Sequence, residues 1–198
     1  MRALLSVADK SDITYLAKEL DSLGVELIST GGTYSAIKNA GINVTNILNI
    51  TSFPHNLDSI IKTLYPEIYA AIDVNRNDPV QMKQLSQANI DVFDIVVVNL
   101  SPFKNIENPS FANCIDAIDI GGPTMLRSAA KHFKNITVIV DPNDYPKIID
   151  ELKKTNNISL STRLYLMQKV FTYTSNYDND ICSYINENIN TIKKEEDI

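Results

Sequence analysis

Asp94-Ile95-Val96-Val97-Val98-Asn99 is the stretch whose reading decides the fold class. Four consecutive β-branched residues between two polar ones make too short a run for a buried helix. They are also too unbroken for a strand with one wet face. The run therefore reads as a strand covered on both sides, at the centre of a parallel sheet. Upstream, Ala3 to Val7 and Val25 to Ser29 are shorter strands of the same kind, and Val44 to Ile47 is a third. Between them lie amphipathic stretches. Ser11 is placed to cap a helix that carries Ile13, Leu16, Leu20 and Leu23 on one face, with Gly24 as its left-handed stop. Thr30-Gly31-Gly32-Thr33 opens a second helix that ends at Gly41. Downstream, Pro79 suits the first turn of a helix through Leu85, and Asp119-Ile120-Gly121-Gly122-Pro123 opens another that bears Met125, Leu126, Ala129, Ala130 and Phe133. Ile136 to Val140 is the last strand. Helices follow over Asp144 to Lys154, with Ile148, Ile149 and Leu152 facing inward, and from Ser161 past Leu164, Met167, Val170 and Phe171 towards Tyr184 and Ile185. Alternating strands and helices predict an α/β fold, one domain with a mainly parallel sheet flanked by helices. The segment from Asn49 to Val74 has no clean period and reads as a functional loop. The expected domain covers residues 1–190, with 191–198 a charged, solvated tail.

Composition narrows the function. The chain has 198 residues, 44% of them hydrophobic and 21% charged, and a formal charge of −6. That balance predicts a folded globular protein with no general attraction for nucleic acid or anionic lipid, so a phosphate ligand would need a local cradle. The apolar run at the N-terminus is too short for a signal peptide or membrane span, and a cytoplasmic location is the expectation. Cys114 and Cys182 read as two buried free thiols. His55 and His132 have no partners at metal-ligand spacing, so no metal is expected.

In an open parallel sheet the loops after successive strands converge on one crevice. Here those loops carry Ala8-Asp9-Lys10-Ser11, Thr30-Gly31-Gly32-Thr33 and Asn99-Leu100-Ser101-Pro102. A Thr-Gly-Gly-Thr turn entering a helix offers backbone N–H groups and hydroxyls to an oxyanion, though it is equally a plain tight turn. Lys62 and Lys131 sit beside small or hydroxyl residues and are candidate ligand-facing cations, or else solvated surface charges. Asp119, between two isoleucines and before Gly121, either accepts hydrogen bonds from a ligand amide or caps the following helix. There is no Gly-x-Ser-x-Gly elbow and no setting for a nucleophilic cysteine.

Six ordered strings carry a resemblance to a known family. They are Leu5-Ser6-Val7-Ala8-Asp9-Lys10, Ser29-Thr30-Gly31-Gly32-Thr33, Lys62-Thr63-Leu64, Val96-Val97-Val98-Asn99-Leu100, Ile118-Asp119-Ile120-Gly121-Gly122-Pro123-Thr124 and Arg127-Ser128-Ala129-Ala130-Lys131. Lys169, Phe171, Thr174, Tyr177 and Asp178 extend the likeness. Together they resemble the IMP cyclohydrolase domain of the bifunctional purine biosynthesis enzyme whose other domain is AICAR transformylase. The resemblance implies a methylglyoxal-synthase-like fold that closes FAICAR to IMP with loss of water, using no cofactor and no metal. By position, Lys131 matches the family's proton-transfer lysine, with Asp119 and Lys62 as its catalytic partners. Asn99 and Asp119 match groups that hold the base, flanked by Ile120 and Gly121, while Asp9, Lys10, Thr30, Gly31, Gly32, Thr33 and Thr63 fall in the phosphate and ribose cradle, with Lys62 beside them. A homodimer and a separately encoded transformylase are the partners it implies, with no nucleic acid and no membrane. The family typically reads Gly-Arg-Val-Lys-Thr-Leu-His-Pro where this chain has Ser59-Ile60-Ile61-Lys62-Thr63-Leu64-Tyr65-Pro66. It reads Asn-Leu-Tyr-Pro-Phe where this chain has Asn99-Leu100-Ser101-Pro102-Phe103. Ala8 and Tyr69-Ala70-Ala71 also depart from it. An alkyl group cannot replace a bidentate arginine clamp. The departures therefore keep open a second reading, a purine-nucleotide-binding or scaffold protein of impaired activity, and a third, a methylglyoxal-synthase-like lyase.

Overall fold

Arg2–Val7 (β1) points alternate side chains to opposite faces of a sheet, and the chain folds around that alternation. The computed structural model describes residues 1–51, 63–103 and 111–196. After β1 come Ile13–Ser22 (α1), Glu26–Ser29 (β2), Gly31–Asn39 (α2) and the two-residue strand Thr45–Asn46 (β3), which passes into a 3-10 turn at Ile47–Asn49. Pro66–Asp73 (α3) and Pro79–Gln87 (α4) lead to Ile95–Asn99 (β4), followed by Phe111–Asp116 (α5), Gly121–Lys131 (α6), Thr137–Ile139 (β5), Tyr145–Thr155 (α7) and Leu160–Glu196 (α8). All strand pairs are parallel, in the order β3-β2-β1-β4-β5. The chain thus winds one way from β1 through β3, then crosses back to lay β4 on the free edge of β1. The order reverses between β1 and β4, and a crevice opens at the carboxyl ends of the strands around such a point.

Two buried clusters cover the two faces. Leu4, Ile28, Val96, Val98 and Val138 pack with residues of α3, α6 and α8. Ala3, Leu5, Leu27, Val97 and Ile139 pack with residues of α1, α2 and α7. Every residue of β4 is buried, as its unbroken apolar run requires. β4 is internal, between β1 and β5, although β1 occupies the middle of the five strands.

Several local expectations are corrected. Ser11 does not cap α1: its N–H and hydroxyl both donate to the Asp9 carboxylate, at 2.9 and 2.6 Å, so it cannot reach the helix. The chain enters α1 instead through Asp12 in the left-handed region. Gly24 does adopt positive φ, as its role as a stop requires. The segment read as irregular ends in α3, where Pro66 fits the first turn and Ile68, Ala71 and Ile72 are buried. Those three apolar positions make less than two turns, too short a period to stand out in sequence. Val44 to Ile47 forms strand only at Thr45–Asn46, because Asn46 accepts from Leu48 N–H and turns the chain. α5 lies between Pro102 and Asp119, a stretch in which the sequence reading placed no element. Leu164 and Phe171 stay exposed on α8, and Leu166 and Val170 take the buried positions. Cys114 is buried but Cys182 is exposed, and both are free thiols.

Candidate functional site

The ends of the first four strands in chain order surround a cavity of about 560 Å³, within the range that takes small organic ligands. β1 contributes Ser6, Val7 and Ala8, and the β2–α2 turn contributes Thr30, Gly31, Gly32 and Thr33. Asn46, Ile47 and Leu48 come from β3 and its turn, Val98 and Asn99 from β4, and Ser101 from the loop after it. Thr63, Tyr65, Asp116, Ala117, Asp119, Gly122 and Met125 complete the described wall.

At one end the first turn of α2 faces the cavity without a side-chain cap. Thr30 would ordinarily supply it, but its Oγ1 lies 2.8 Å from Ser6 Oγ instead. The first intrahelical bond from this turn is Tyr34 N–H to Thr30 O, which leaves the N–H groups of Gly31, Gly32 and Thr33 without acceptors inside the helix. Lys10 sits over the same turn. A Cβ on Gly32 would stand 3.3 Å from Lys10 Cε and 3.6 Å from Nζ. The Lys10 ammonium donates to Ala8 O at 3.3 Å and has no carboxylate within ion-pair distance among the described residues. A cation beside the positive end of a helix dipole is unfavourable unless an anion lies between them. These are groups from which an anion can accept hydrogen bonds, although Lys10 itself is not among the residues that line the cavity.

Two expected contributors are occupied by the fold. Thr33 Oγ1 accepts from Val7 N–H at 2.9 Å and donates to Val7 O at 3.0 Å, tying α2 to β1. Asn99 Oδ1 accepts from the N–H groups of Ala8 and Asp9 at 2.7 and 2.8 Å, and its Nδ2 donates to Asp9 O at 3.0 Å. Asn99 thus shapes the β1–α1 loop and keeps one amide hydrogen for a ligand. Asp9 turns its carboxylate away from the cavity to Ser11. The Ser11 hydroxyl bond, then its N–H and nearby Lys10, hold that carboxyl below its ordinary value. Asp9 lines a neighbouring cavity of about 400 Å³ instead.

At the other end Asp119 Oδ1 accepts from Gly122 N–H at 2.9 Å, so this carboxylate does cap α6 while also lining the cavity. Its second oxygen remains available to a ligand. Gly121 and Gly122 have no room for side chains: a Cβ on Gly121 would meet Thr63 Oγ1 at 2.2 Å, and one on Gly122 would meet Leu100 Cδ2 at 2.4 Å. Ile120 is exposed beside this end and does not line the cavity. Tyr69 reaches Gly121 O at 3.4 Å. Burial, reinforced by the charges of Asp119 and Asp73, pushes its phenol up to about 12, so it stays a donor at neutral pH.

Lys131 does not line the cavity. It closes α6, about 15 Å along the helix from Gly121, and Ala129 and Ala130 take the buried positions beside it. Its side chain is 71% exposed, with Nζ 3.8 Å from Asp73, which also pairs with His132 Nε2 at 2.9 Å. His55, Ile60 and Lys62 lie outside the described residues. Sequence reading gave no site role to Ser6, Asn46 and Asp116, and singled out Tyr65 only as a departure from the family pattern. Ser6 and Asn46 were findable from their place at strand ends; Asp116 comes from α5, for which no element was expected. No group of metal-ligating side chains occurs among the described residues.

The MGS-like domain family model matches residues 12–124, more than half of the chain. The chain belongs to the MGS-like domain family. A second model, of the AICARFT/IMPCHase bienzyme, matches residues 129–197. Among curated proteins, this MGS-like chain is 48% identical to the bifunctional purine biosynthesis protein PurH of Acetivibrio thermocellus, over 95% of the chain and 37% of that protein. It is 49% identical to PurH of Caldicellulosiruptor saccharolyticus, over 92% of the chain and 36% of that protein, and 45% identical to PurH of Staphylococcus carnosus, over 94% and 38%. The chain spans little more than a third of the length of these relatives. The crystal structure of ForH superposes with a TM-score of 0.83 at 29% identity, covering 92% of this chain and 97% of that one. No helix among the described residues is long and apolar enough to cross a membrane.

Proposed function

We propose that this chain acts in purine biosynthesis as an IMP cyclohydrolase, closing FAICAR to IMP with loss of water. The observation that carries the reading is the polarity of the cavity. An uncapped helix N-terminus under Lys10 stands at one end, and the Asp119 carboxylate at the other. A nucleoside 5′-monophosphate has the matching polarity, with a dianionic phosphate and a base that donates hydrogen bonds.

In the proposed reaction the phosphate lies on the N–H groups of Gly31, Gly32 and Thr33 with Lys10, and the Thr30 and Thr63 hydroxyls hold phosphate or ribose. Asp119 accepts a hydrogen bond from the carboxamide NH₂, turning the nitrogen lone pair towards the formamido carbon and drawing off a proton as the C–N bond forms. That proton passes to the former formyl oxygen, which leaves as water with the proton of the formamido N–H as the C–O bond breaks and the ring C=N bond forms; Lys62, which the resemblance gives as a catalytic partner, lies outside the described residues. Tyr69 and Tyr65 are the described phenols nearest in sequence to that lysine. Ser101 lines the cavity with a short hydroxyl where the family carries a phenol, and this favours the second reading, a nucleotide binder with little turnover.

Purified protein incubated with FAICAR and followed by absorbance decides between them. IMP formation well above the uncatalysed rate is expected. Formation at the uncatalysed rate with IMP still bound in calorimetry would leave only the binding reading. We also propose a homodimer and a separate transformylase partner, read by light scattering alone and with the candidate partner.

A further inference from the structure

Two phenols on α8 hold two backbone segments that meet beside the cavity, at Leu100 and at Asp119. Tyr173 and Tyr177 are four residues apart, so both side chains leave the same face of the helix. Tyr173 Oη accepts from Leu100 N–H at 2.8 Å and donates to Leu100 O at 3.3 Å. Leu100 is buried and is the first residue beyond the β1–β4 ladder, whose last pair is Val7 with Asn99. Its backbone groups have no strand to pair with, and buried backbone groups require partners. One turn on, Tyr177 Oη accepts from Asp119 N–H at 2.8 Å. The two held segments also touch, since the Leu100 side chain packs against Gly122, which donates to the Asp119 carboxylate. Neither phenol lines the cavity. Burial raises both phenols, and the Asp119 charge adds to it, so both remain protonated.

We propose that Tyr173 and Tyr177 are positioning residues: a pair of hydroxyls on α8 that fixes the Asp119 carboxylate and the neighbouring Leu100–Ser101 backbone in register at the cavity wall. The expected effect on turnover rests on the cyclohydrolase reading; the effect on backbone order does not. With either hydroxyl gone, the nucleotide's phosphate end keeps its contacts while the reacting end loses its alignment. The loss belongs to kcat and not to KM.

The test uses the full chain with Tyr177→Phe and Tyr173→Phe, and Tyr165→Phe as a control on the exposed side of α8. Amide hydrogen exchange by NMR, the melting temperature, IMP affinity, and kcat and KM with FAICAR are measured. Tyr177→Phe is expected to speed exchange at Asp119, and Tyr173→Phe at Leu100, by about tenfold or more. Each lowers kcat by about tenfold with KM within about threefold, while the control changes none of these. Faster exchange or a lower melting temperature with kcat unchanged marks a purely structural role and overturns the proposal, as does unchanged exchange. If Tyr177→Phe fails to fold, Tyr173→Phe decides alone. If the wild type does not turn over, the cyclohydrolase reading fails separately, and amide exchange at Asp119 and Leu100 in the IMP complex decides: rates equal to wild type in both variants overturn the proposal.

Discussion

Gly122→Ala tests the reacting end of the cavity with a single methyl group. Gly122 is buried in the first turn of α6, and an added Cβ would stand 2.4 Å from Leu100 Cδ2, 2.7 Å from Asp119 Oδ2 and 3.2 Å from Asp119 Cγ. Ordinary contact between such atoms is about 3.5 Å, so the leucine methyl must retreat by about 1 Å and the carboxylate by nearly as much. The carboxylate can retreat only by turning off the Gly122 N–H, now 2.9 Å away. Losing that charge-assisted bond costs about 1.5–3 kcal/mol. Crowding at Leu100 adds about 1–3 kcal/mol, and the better helix propensity of alanine returns at most about 1 kcal/mol. The net loss is about 2–5 kcal/mol, or roughly 4–20 °C in Tm for a chain of this size. Because the carboxylate is displaced, IMP affinity should also fall by about tenfold or more. Gly24→Ala is the contrast: nothing lies within 4 Å of its Cβ, but its φ of +74° disfavours alanine. That variant should lose about 1–2 kcal/mol and keep its nucleotide affinity. Scanning calorimetry and titration calorimetry read both quantities. A Gly122→Ala protein with wild-type Tm and wild-type affinity would refute the packing argument and the placement of Asp119.

Lys131→Ala should leave IMP affinity within about twofold and stability within about 0.5 kcal/mol, because an exposed ion pair of this kind contributes little. A tenfold loss of affinity in titration calorimetry would show that Lys131 reaches the nucleotide. Lys169 Nζ lies 2.6 Å from Asp141 and 2.7 Å from Asp144. The Lys169 hydrogen bond, which outweighs burial, holds the Asp141 carboxyl below its ordinary 3.8. A depressed folded-state value stabilises the native state above the unfolded value and is lost as pH falls through the folded one. Asp141→Asn should therefore cost about 1 kcal/mol at neutral pH, a gap that closes in urea melts below about pH 4. A gap that persists into strong acid would contradict that assignment.

The sheet was legible because β4 and β1 carry their burial in their composition: an unbroken Ile-Val-Val-Val run has nowhere to lie except between two layers. The turn at Thr30 to Thr33 was legible as a place, since glycines before a helix restrict the backbone to a few shapes. What each hydroxyl does there was not. Thr33 and Asn99 look like ligand groups in the sequence, yet Thr33 spends its hydrogen bonds on β1 and Asn99 most of its on the loop that follows β1, a choice set by which strand becomes the neighbour. Lys131 shows the same limit. Its motif is intact, but only the phase and length of α6 reveal that it ends up beside Asp73. Tyr173 carried no signal, and Tyr177 only its place in the resemblance, because their partners are backbone groups far away in the chain.

The strand order has a consequence for how the molecule is made. β1 meets β2 after a short helical crossover, but its other neighbour, β4, is synthesised roughly 90 residues later, and closing so long a loop is entropically slow. The cradle at α2 belongs to the early half and Asp119 to the late half, and they come face to face only when β4 docks. Nucleotide capture during refolding should accordingly lag behind helix formation and coincide with the final cooperative phase, which makes ligand binding a direct clock for completion of the native state.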